Sequence, residues 1–279
     1  MIWSASFGLF KSQLTSIDPS LTAFLRLAIA FVAFLPLLRA KKLPRNARWA
    51  YFMIGVVEYG LMYLFLNRSF QYLDGWQIAL MTLFTPFYIV IIDSFWKKRV
   101  DVTFLAAAAI AVVGAMIAIY KKGCVPPESL TGCLFVQLSD ISFALGQLLY
   151  RRVRKNHPEV SDARLYALLF AGGISITLCM TLVSGSLGQI AAIAKPQWEA
   201  LLYLGIISSA LCFFLWNVGA TKVSTGILAV MSNIKVPMAV AVSLLFFKEC
   251  AGSWARLFFG AAIMALAVYL AQKRARRIA

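Results

Sequence analysis

The chain has 279 residues, 61% of them apolar and 14% charged, with a net charge of +16 and a mean hydropathy of +0.80. A water-soluble domain cannot hide that much apolar surface, and no polar stretch is long enough to form a second domain. Most of the 27 Lys and Arg sit in short loops between apolar runs, the pattern of an oriented membrane protein, so nucleic acid is excluded as a partner and lipid is the expected surroundings.

Ten apolar runs of helical length follow one another. The first, Met1–Leu14, is about 21 Å long as a helix against a hydrocarbon core of about 30 Å. It has no basic leader or small-residue cleavage site, so no cleavable signal peptide is expected. Span two, Ser20–Leu38, carries Arg26. Span three, Arg48–Tyr72, carries Glu58 and Tyr63 in its interior and Arg68 near its end. Span four, Gly75–Phe95, contains Pro86, Tyr88 and the near-terminal Asp93; span five is Val102–Tyr120. Span six, Leu130–Tyr150, places Gln137, Asp140, Ala144 and Gln147 at a three-four-three spacing, hence on one helix face. Span seven is Ala163–Val183. Span eight, Trp198–Ala220, aligns Ser209, Cys212, Trp216 and Gly219 on one face with Asn217 alongside. Span nine, Thr225–Phe247, carries Asn233, Lys235 and Pro237, and span ten is Trp254–Ala271. Between the spans lie the breakers Pro44, Asp74-Gly75, Pro126-Pro127, Pro158, Ser184-Gly185-Ser186 and Gly252.

Loops on alternate sides hold eighteen and six cations, with Arg26, Arg68 and Lys235 left inside spans. The cation-rich side is the cytoplasm, so both termini are expected there. Gly55, Leu61, Asn67 and Met81 recur 150 residues later as Gly205, Leu211, Asn217 and Met231, and Pro86 is matched by Pro237 one residue out of step. Five spans per half is an odd number, so the second half enters the bilayer upside down. The expected fold is therefore all-α and integral to the membrane. Its ten transmembrane helices form two inverted five-helix repeats, residues 1–122 and 123–279, around a central cavity. Inverted repeats are characteristic of carriers, whose solute site lies near the midplane between the halves.

Charge at that depth costs about 2.5–3.5 kcal/mol per residue on the insertion scale, so such groups line polar cavities or pair with one another. Glu58, Asp140 and Lys235 each lie about 15 Å deep at 1.5 Å per residue and are expected to converge on one water-accessible chamber. Lys235 can neutralise only one of the acids. The other binds a proton or meets Arg26 or Arg68, which makes Asp140 and Glu58 the candidates for proton coupling. Arg26 could hold a substrate carboxylate with a two-pronged hydrogen bond, a geometry Lys does not reproduce. Arg68 is read as snorkelling to the headgroups and Asp93 as interfacial. Trp216 is either a wall of the solute pocket or an interface-belt tryptophan. Asn217, Asn233 and Gln137 are polar candidates beside it, and Tyr63 and Tyr88 aromatic ones. Pro86 and Pro237 remove backbone hydrogen bonds, and the kinks suit alternating access.

The five cysteines, Cys124, Cys133, Cys179, Cys212 and Cys250, form no CxxC or Cys/His pair, and His157 is the only histidine. No metal, cofactor or thiol chemistry is expected. With no nucleophile–base pair and no Gly-rich ATP loop, the chain is read as a carrier rather than an enzyme.

Several stretches resemble the drug/metabolite transporter superfamily in its ten-span EamA-like branch. They are Trp3-Ser4-Ala5-Ser6-Phe7 through Lys11, Thr85-Pro86, Val236-Pro237 and Glu249, with Lys98 as a departure where the first half lacks the matching acid. Val136–Gly146, Trp216–Val223 and Met231-Ser232-Asn233 look like the carboxylate/amino-acid/amine subgroup, to which bacterial biotin carriers belong. The resemblance implies secondary transport of a small organic solute across the bacterial cytoplasmic membrane, in its most specific form uptake of biotin or a similar carboxylate. The alternative is export or exchange of amino acids or a metabolite such as S-adenosylmethionine.

Overall fold

The computed structural model describes residues 5–38, 43–98, 127–158, 160–223 and 253–278, with isolated positions between them. The elements formed by the described residues are all helical. Helix α1 is Ala5–Gln13, α2 Pro19–Leu37, α3 Arg45–Ser69, α4 Gly75–Trp96, α5 Pro127–Lys155, α6 Asp162–Val183, α7 Lys195–Thr221 and α8 Trp254–Ile278. Six of them, α2 to α7, are long and apolar enough to cross a bilayer. Large apolar side chains such as Val32, Phe95, Val183 and Leu215 stay exposed on the outside, as lipid-facing positions should be. Of the ten expected spans, five and nine fall outside the described residues apart from isolated positions.

Two of the shifted boundaries have a visible cause. Span six was expected to stop at Tyr150, where the apolar run ends. The helix runs on to Lys155, because Leu-Tyr-Arg-Arg-Val-Arg-Lys contains no breaker and Arg154 is held by Asp162 across the turn. Span three begins at Arg45, directly after Pro44, which cannot continue a helix backwards but suits the position before its first turn.

Sequence periodicity gave no sign of the next feature. Neither α3 nor α7 is a uniform α-helix: Val56–Leu61 and Tyr203–Cys212 are π-helical. The two helices begin 150 residues apart, at Arg45 and Lys195, and widen at matching places just after Gly55 and around Gly205. They also run antiparallel where they touch, since Glu58 meets Asn217 and Tyr63 meets Ser209.

Helices α3 and α6 pack with almost no side chain between them. A Cβ on Gly55 would lie 1.8 Å from the Leu169 carbonyl oxygen, and one on Gly172 would lie 1.9 Å from that of Phe52. In lipid, where apolar side chains gain nothing by leaving their surroundings, such backbone proximity is what holds helices together.

The two ends of the bundle are tied differently. At one end Asp18 caps α2, accepting from Ser20 and Leu21 amides at 2.9 and 3.2 Å, and also accepts the Ser186 hydroxyl. There Lys11 donates to the Phe70 and Leu73 carbonyls and sits 3.4 Å from Asp74. At the opposite end Asp162 takes Arg154 at 2.9 Å and the Tyr150 hydroxyl. Arg151 reaches the Val223 carbonyl at 2.6 Å, and Lys97 pairs with Asp93 on the surface.

Candidate functional site

Arg26 lies two turns into α2 and is 3% exposed. Its guanidinium stacks on the Tyr63 ring, 4.2 Å from the centroid. Nη2 donates to the Tyr63 hydroxyl at 3.0 Å and to Ser209 Oγ at 3.4 Å, and those two hydroxyls bond each other at 2.7 Å. Its Nε has no hydrogen-bond partner among the described residues, and no described carboxylate forms an ion pair with it. A buried guanidinium with donors to spare and no counter-charge is set up for an anion.

Arg26 faces a cavity that is partly open to the outside. Ser6, Tyr63, Thr82, Ser139 and Asp140 supply the rest of its polar lining, and Phe7, Phe10, Met62, Leu66, Phe70, Phe143 and Phe213 its apolar walls. Phe10 stacks on Phe70 at 4.3 Å on the side towards the Asp18 end. An apolar pocket with a few convergent polar groups is the usual form of a small-molecule site.

A second polar cluster lies outside the cavity lining, towards the Asp162 end. Asn217 Nδ2 donates to Glu58 Oε1 at 2.6 Å and to the Tyr59 hydroxyl at 3.0 Å. Tyr166 gives its only proton to the Phe213 carbonyl at 2.7 Å, so Tyr59 must donate in the 2.7 Å contact between the two tyrosines. Glu58 is fully buried. Helix α5 closes over its stem at Gly146, where a Cβ would lie 2.3 Å from Glu58 Cβ.

The residues singled out in the sequence therefore divide. Arg26, Tyr63 and Asp140 come together on the cavity, whereas Glu58 and Asn217 pair with each other elsewhere. The expected single chamber holding both acids is thus two separate places. Tyr88 donates to Gln137 at 2.8 Å, and neither lines the cavity. Trp216 packs half-buried among apolar side chains. Asn233, Lys235 and Pro237 lie outside the described residues.

Pro86 sits at the start of the helical stretch Thr85–Trp96, after a tight 3-10 turn at Thr82–Phe84. The Thr82 carbonyl, which Pro86 deprives of an N–H, accepts the Thr85 hydroxyl at 2.8 Å instead of facing the cavity bare. The face predicted for span eight fails for a physical reason. A π-helical stretch has more residues per turn, so Ser208 and Ser209 both end fully buried, while Gly219 projects into open space. Sequence reasoning missed Tyr59 and Tyr166, which composition presents as packing aromatics, and the hydroxyls of Ser6, Ser139 and Ser208. Ser6 and Ser208 bond each other at 2.9 Å. Among the described cysteines, Cys133, Cys179 and Cys212 are free thiols; Cys124 and Cys250 lie outside the described residues.

With this geometry in hand, comparison with known proteins decides the family. The profile of the EamA-like transporter family matches residues 1–120 and 130–271. The chain belongs to the EamA-like transporter family. It is thus a multi-pass membrane carrier of the drug/metabolite transporter superfamily, and not an enzyme. A probable biotin transporter of Pseudomonas aeruginosa is 31% identical over 272 residues, covering 97% of this chain and 94% of its own. The biotin transporter of Salmonella typhimurium is 30% identical over 275 residues, covering 98% and 90%. A solved crystal structure, 18% identical, superposes with a TM-score of 0.69 over 99% of this chain and 95% of its own; it speaks for the fold alone.

Proposed function

We propose that the chain takes up biotin, or a carboxylate of similar build, across the bacterial cytoplasmic membrane by alternating access. The observation that carries this is Arg26: a buried guanidinium on an aromatic-walled cavity with no carboxylate partner among the described residues. Biotin joins a carboxylate to an aliphatic chain and a ureido ring. Arg26 would hold the carboxylate, the phenylalanine walls would cover the chain and ring, and Asp140, Ser139 and Thr82 would meet the ureido group. The relatives named as biotin transporters support the same solute.

The architecture for this is ten spans in two inverted repeats, residues 1–122 and 123–279. The antiparallel contact of α3 with α7 supports it, as do their matching π-helical segments and the family profile falling in two blocks. The cation-rich Asp162 end then faces the cytoplasm, as do both termini, and Pro86 and Pro237 are the points about which spans four and nine flex. Proton coupling through Asp140 or Glu58 supplies the energy.

The test is uptake of radiolabelled biotin in a biotin-requiring bacterial host that carries this chain as its sole route. Saturable uptake that unlabelled biotin competes and an amino-acid panel does not is the expected result. Exchange of amino acids with no biotin uptake would replace this reading with the metabolite-exporter one.

A further inference from the structure

We infer that Glu58 carries the coupling proton, at a site separate from the cavity that holds the solute. The inference rests on the biotin-uptake reading above and names one of the two candidate acids as the coupling group. Glu58 is 0% exposed, its Oε1 accepts from Asn217, and its Oε2 has no partner among the described residues.

Among the described residues, the groups around Glu58 leave its charge uncancelled. Its own segment offers Tyr59, whose proton goes to Tyr166. From α6 comes Tyr166, committed to the Phe213 carbonyl, and from α7 comes Asn217, whose amide protons serve Glu58 and Tyr59. Helix α5 presents the backbone of Gly146, with Asp140 on the cavity side and the Tyr150 hydroxyl given to Asp162. On α2 the Arg26 guanidinium faces the cavity, donates to Tyr63 and Ser209, and forms no ion pair with Glu58. A carboxylate so placed pays the full cost of desolvation, and a proton on Oε2 removes it.

A ligand shifts a conformational equilibrium only by binding its two states differently. This closed arrangement excludes water and favours the protonated acid. An arrangement in which α3 and α7 part at the Asp162 end would hydrate the carboxyl and let the proton leave. The bond from Asn217 ties the acid to the opposite repeat, so loss of the proton acts where the halves meet. One proton bound at Glu58 with one carboxylate monoanion bound at Arg26 moves no net charge, and only an O–H bond is made and broken.

The experiment uses the full chain in proteoliposomes with radiolabelled biotin, a clamped membrane potential and an imposed pH gradient of about one unit. At one proton per solute, such a gradient sustains about a tenfold biotin gradient. Wild type is expected to approach that ratio, Glu58→Gln to stop at an even distribution, and Glu58→Asp, which keeps a carboxyl, to regain part of the accumulation. Glu58→Gln that concentrates biotin as wild type does overturns the inference. A wild-type measurement stands independently of whether the variant folds: in weakly buffered medium, biotin entry should alkalinise the exterior by one proton per biotin. Biotin entry with no proton movement overturns the inference alone. A wild type that moves no biotin overturns the biotin-uptake reading and this inference with it.

Discussion

Helices α3 and α7 resemble each other in outline, each interrupted by a π-helical segment, and their differences are more informative than their likeness. Each starts with a cation, at Arg45 and Lys195, turns π-helical partway, and reaches an asparagine near its far end, at Asn67 and Asn217. In and just past the widened turn, however, α3 carries Glu58, Tyr59 and Tyr63 where α7 carries Ser208, Ser209 and Phe213. The shared geometry sets where the two halves touch. The unshared side chains decide what the contact does: one copy brings an acid and phenols, and the other brings hydroxyls and an amide to receive them. A perfectly symmetric pair would set like against like, which wastes donors in a medium that cannot replace them.

The largest effect expected from breaking that pairing is at its partner Arg26. Arg26→Ala removes the only described buried cation on the cavity, and hydrogen bonds to a charged group are worth about 1.5–3 kcal/mol. Biotin binding to the purified carrier should weaken by about tenfold to a hundredfold, as read by titration or ligand-induced thermal stabilisation. Arg26→Lys should recover little, because an ammonium cannot reproduce the guanidinium's planar fork. Undiminished binding in Arg26→Ala would remove the anion clamp from the mechanism.

The glycines sharpen the comparison between copies. Gly55 abuts the backbone carbonyl of Leu169 at a virtual Cβ distance of 1.8 Å, whereas its counterpart Gly205 meets the Ile29 side chain at 2.7 Å. A carbonyl in a helix cannot move aside, but an isoleucine side chain can shift. Gly55→Ala should therefore cost about 1–3 kcal/mol, as overpacking does, and lower the apparent melting temperature in detergent by several degrees. Gly205→Ala should lower it less. Equal losses would mean that the two copies pack alike in spite of their different neighbours.

How much of this was legible beforehand follows from what each signal measures. The hydropathy runs needed no structure, because the bilayer sets the length of an apolar helix directly. Arg26, Tyr63 and Asp140 were legible as cavity residues, since polar groups at mid-span have nowhere else to go. Glu58 was singled out, but the structure sets it apart from the cavity that Asp140 lines: depth along a helix says nothing about direction around it. The two π-helical segments made this worse, because face assignments at 3.6 residues per turn fail on passing through them, as they did at Ser209 and Gly219. Tyr59 and Tyr166 stayed hidden among 10 tyrosines and 21 phenylalanines, where an aromatic side chain is ordinary packing until its hydroxyl finds a partner.

The repeated asparagines offer a finer cut. Asn217 donates to a carboxyl at 2.6 Å, and Asn67 donates to the Pro19 carbonyl at 3.2 Å. Removing the first leaves Glu58 with neither oxygen bonded, at a cost of about 2 kcal/mol, against about 1 kcal/mol for the second. Thermal unfolding of Asn217→Ala and Asn67→Ala should rank in that order, and the reverse order would show that the Glu58 contact contributes little to joining the halves.

The smallest change makes the two copies more alike. Tyr63→Phe gives α3 the residue that α7 already has at Phe213, keeps the ring under the Arg26 guanidinium and deletes one hydroxyl. That hydroxyl bonds both Arg26 and Ser209, so its loss frees an Arg26 donor while loosening the group that aims the guanidinium. The two effects oppose each other. The cation–π contact survives, and the net change should be about 1 kcal/mol or less, roughly a fivefold weakening of biotin binding at most. A loss as large as that of Arg26→Ala would mean that the guanidinium depends on Tyr63 for its whole orientation and that the ring alone cannot hold it. Tighter binding would mean that the hydroxyl competes with the solute for the arginine, and that the asymmetry between the copies restrains affinity at this position.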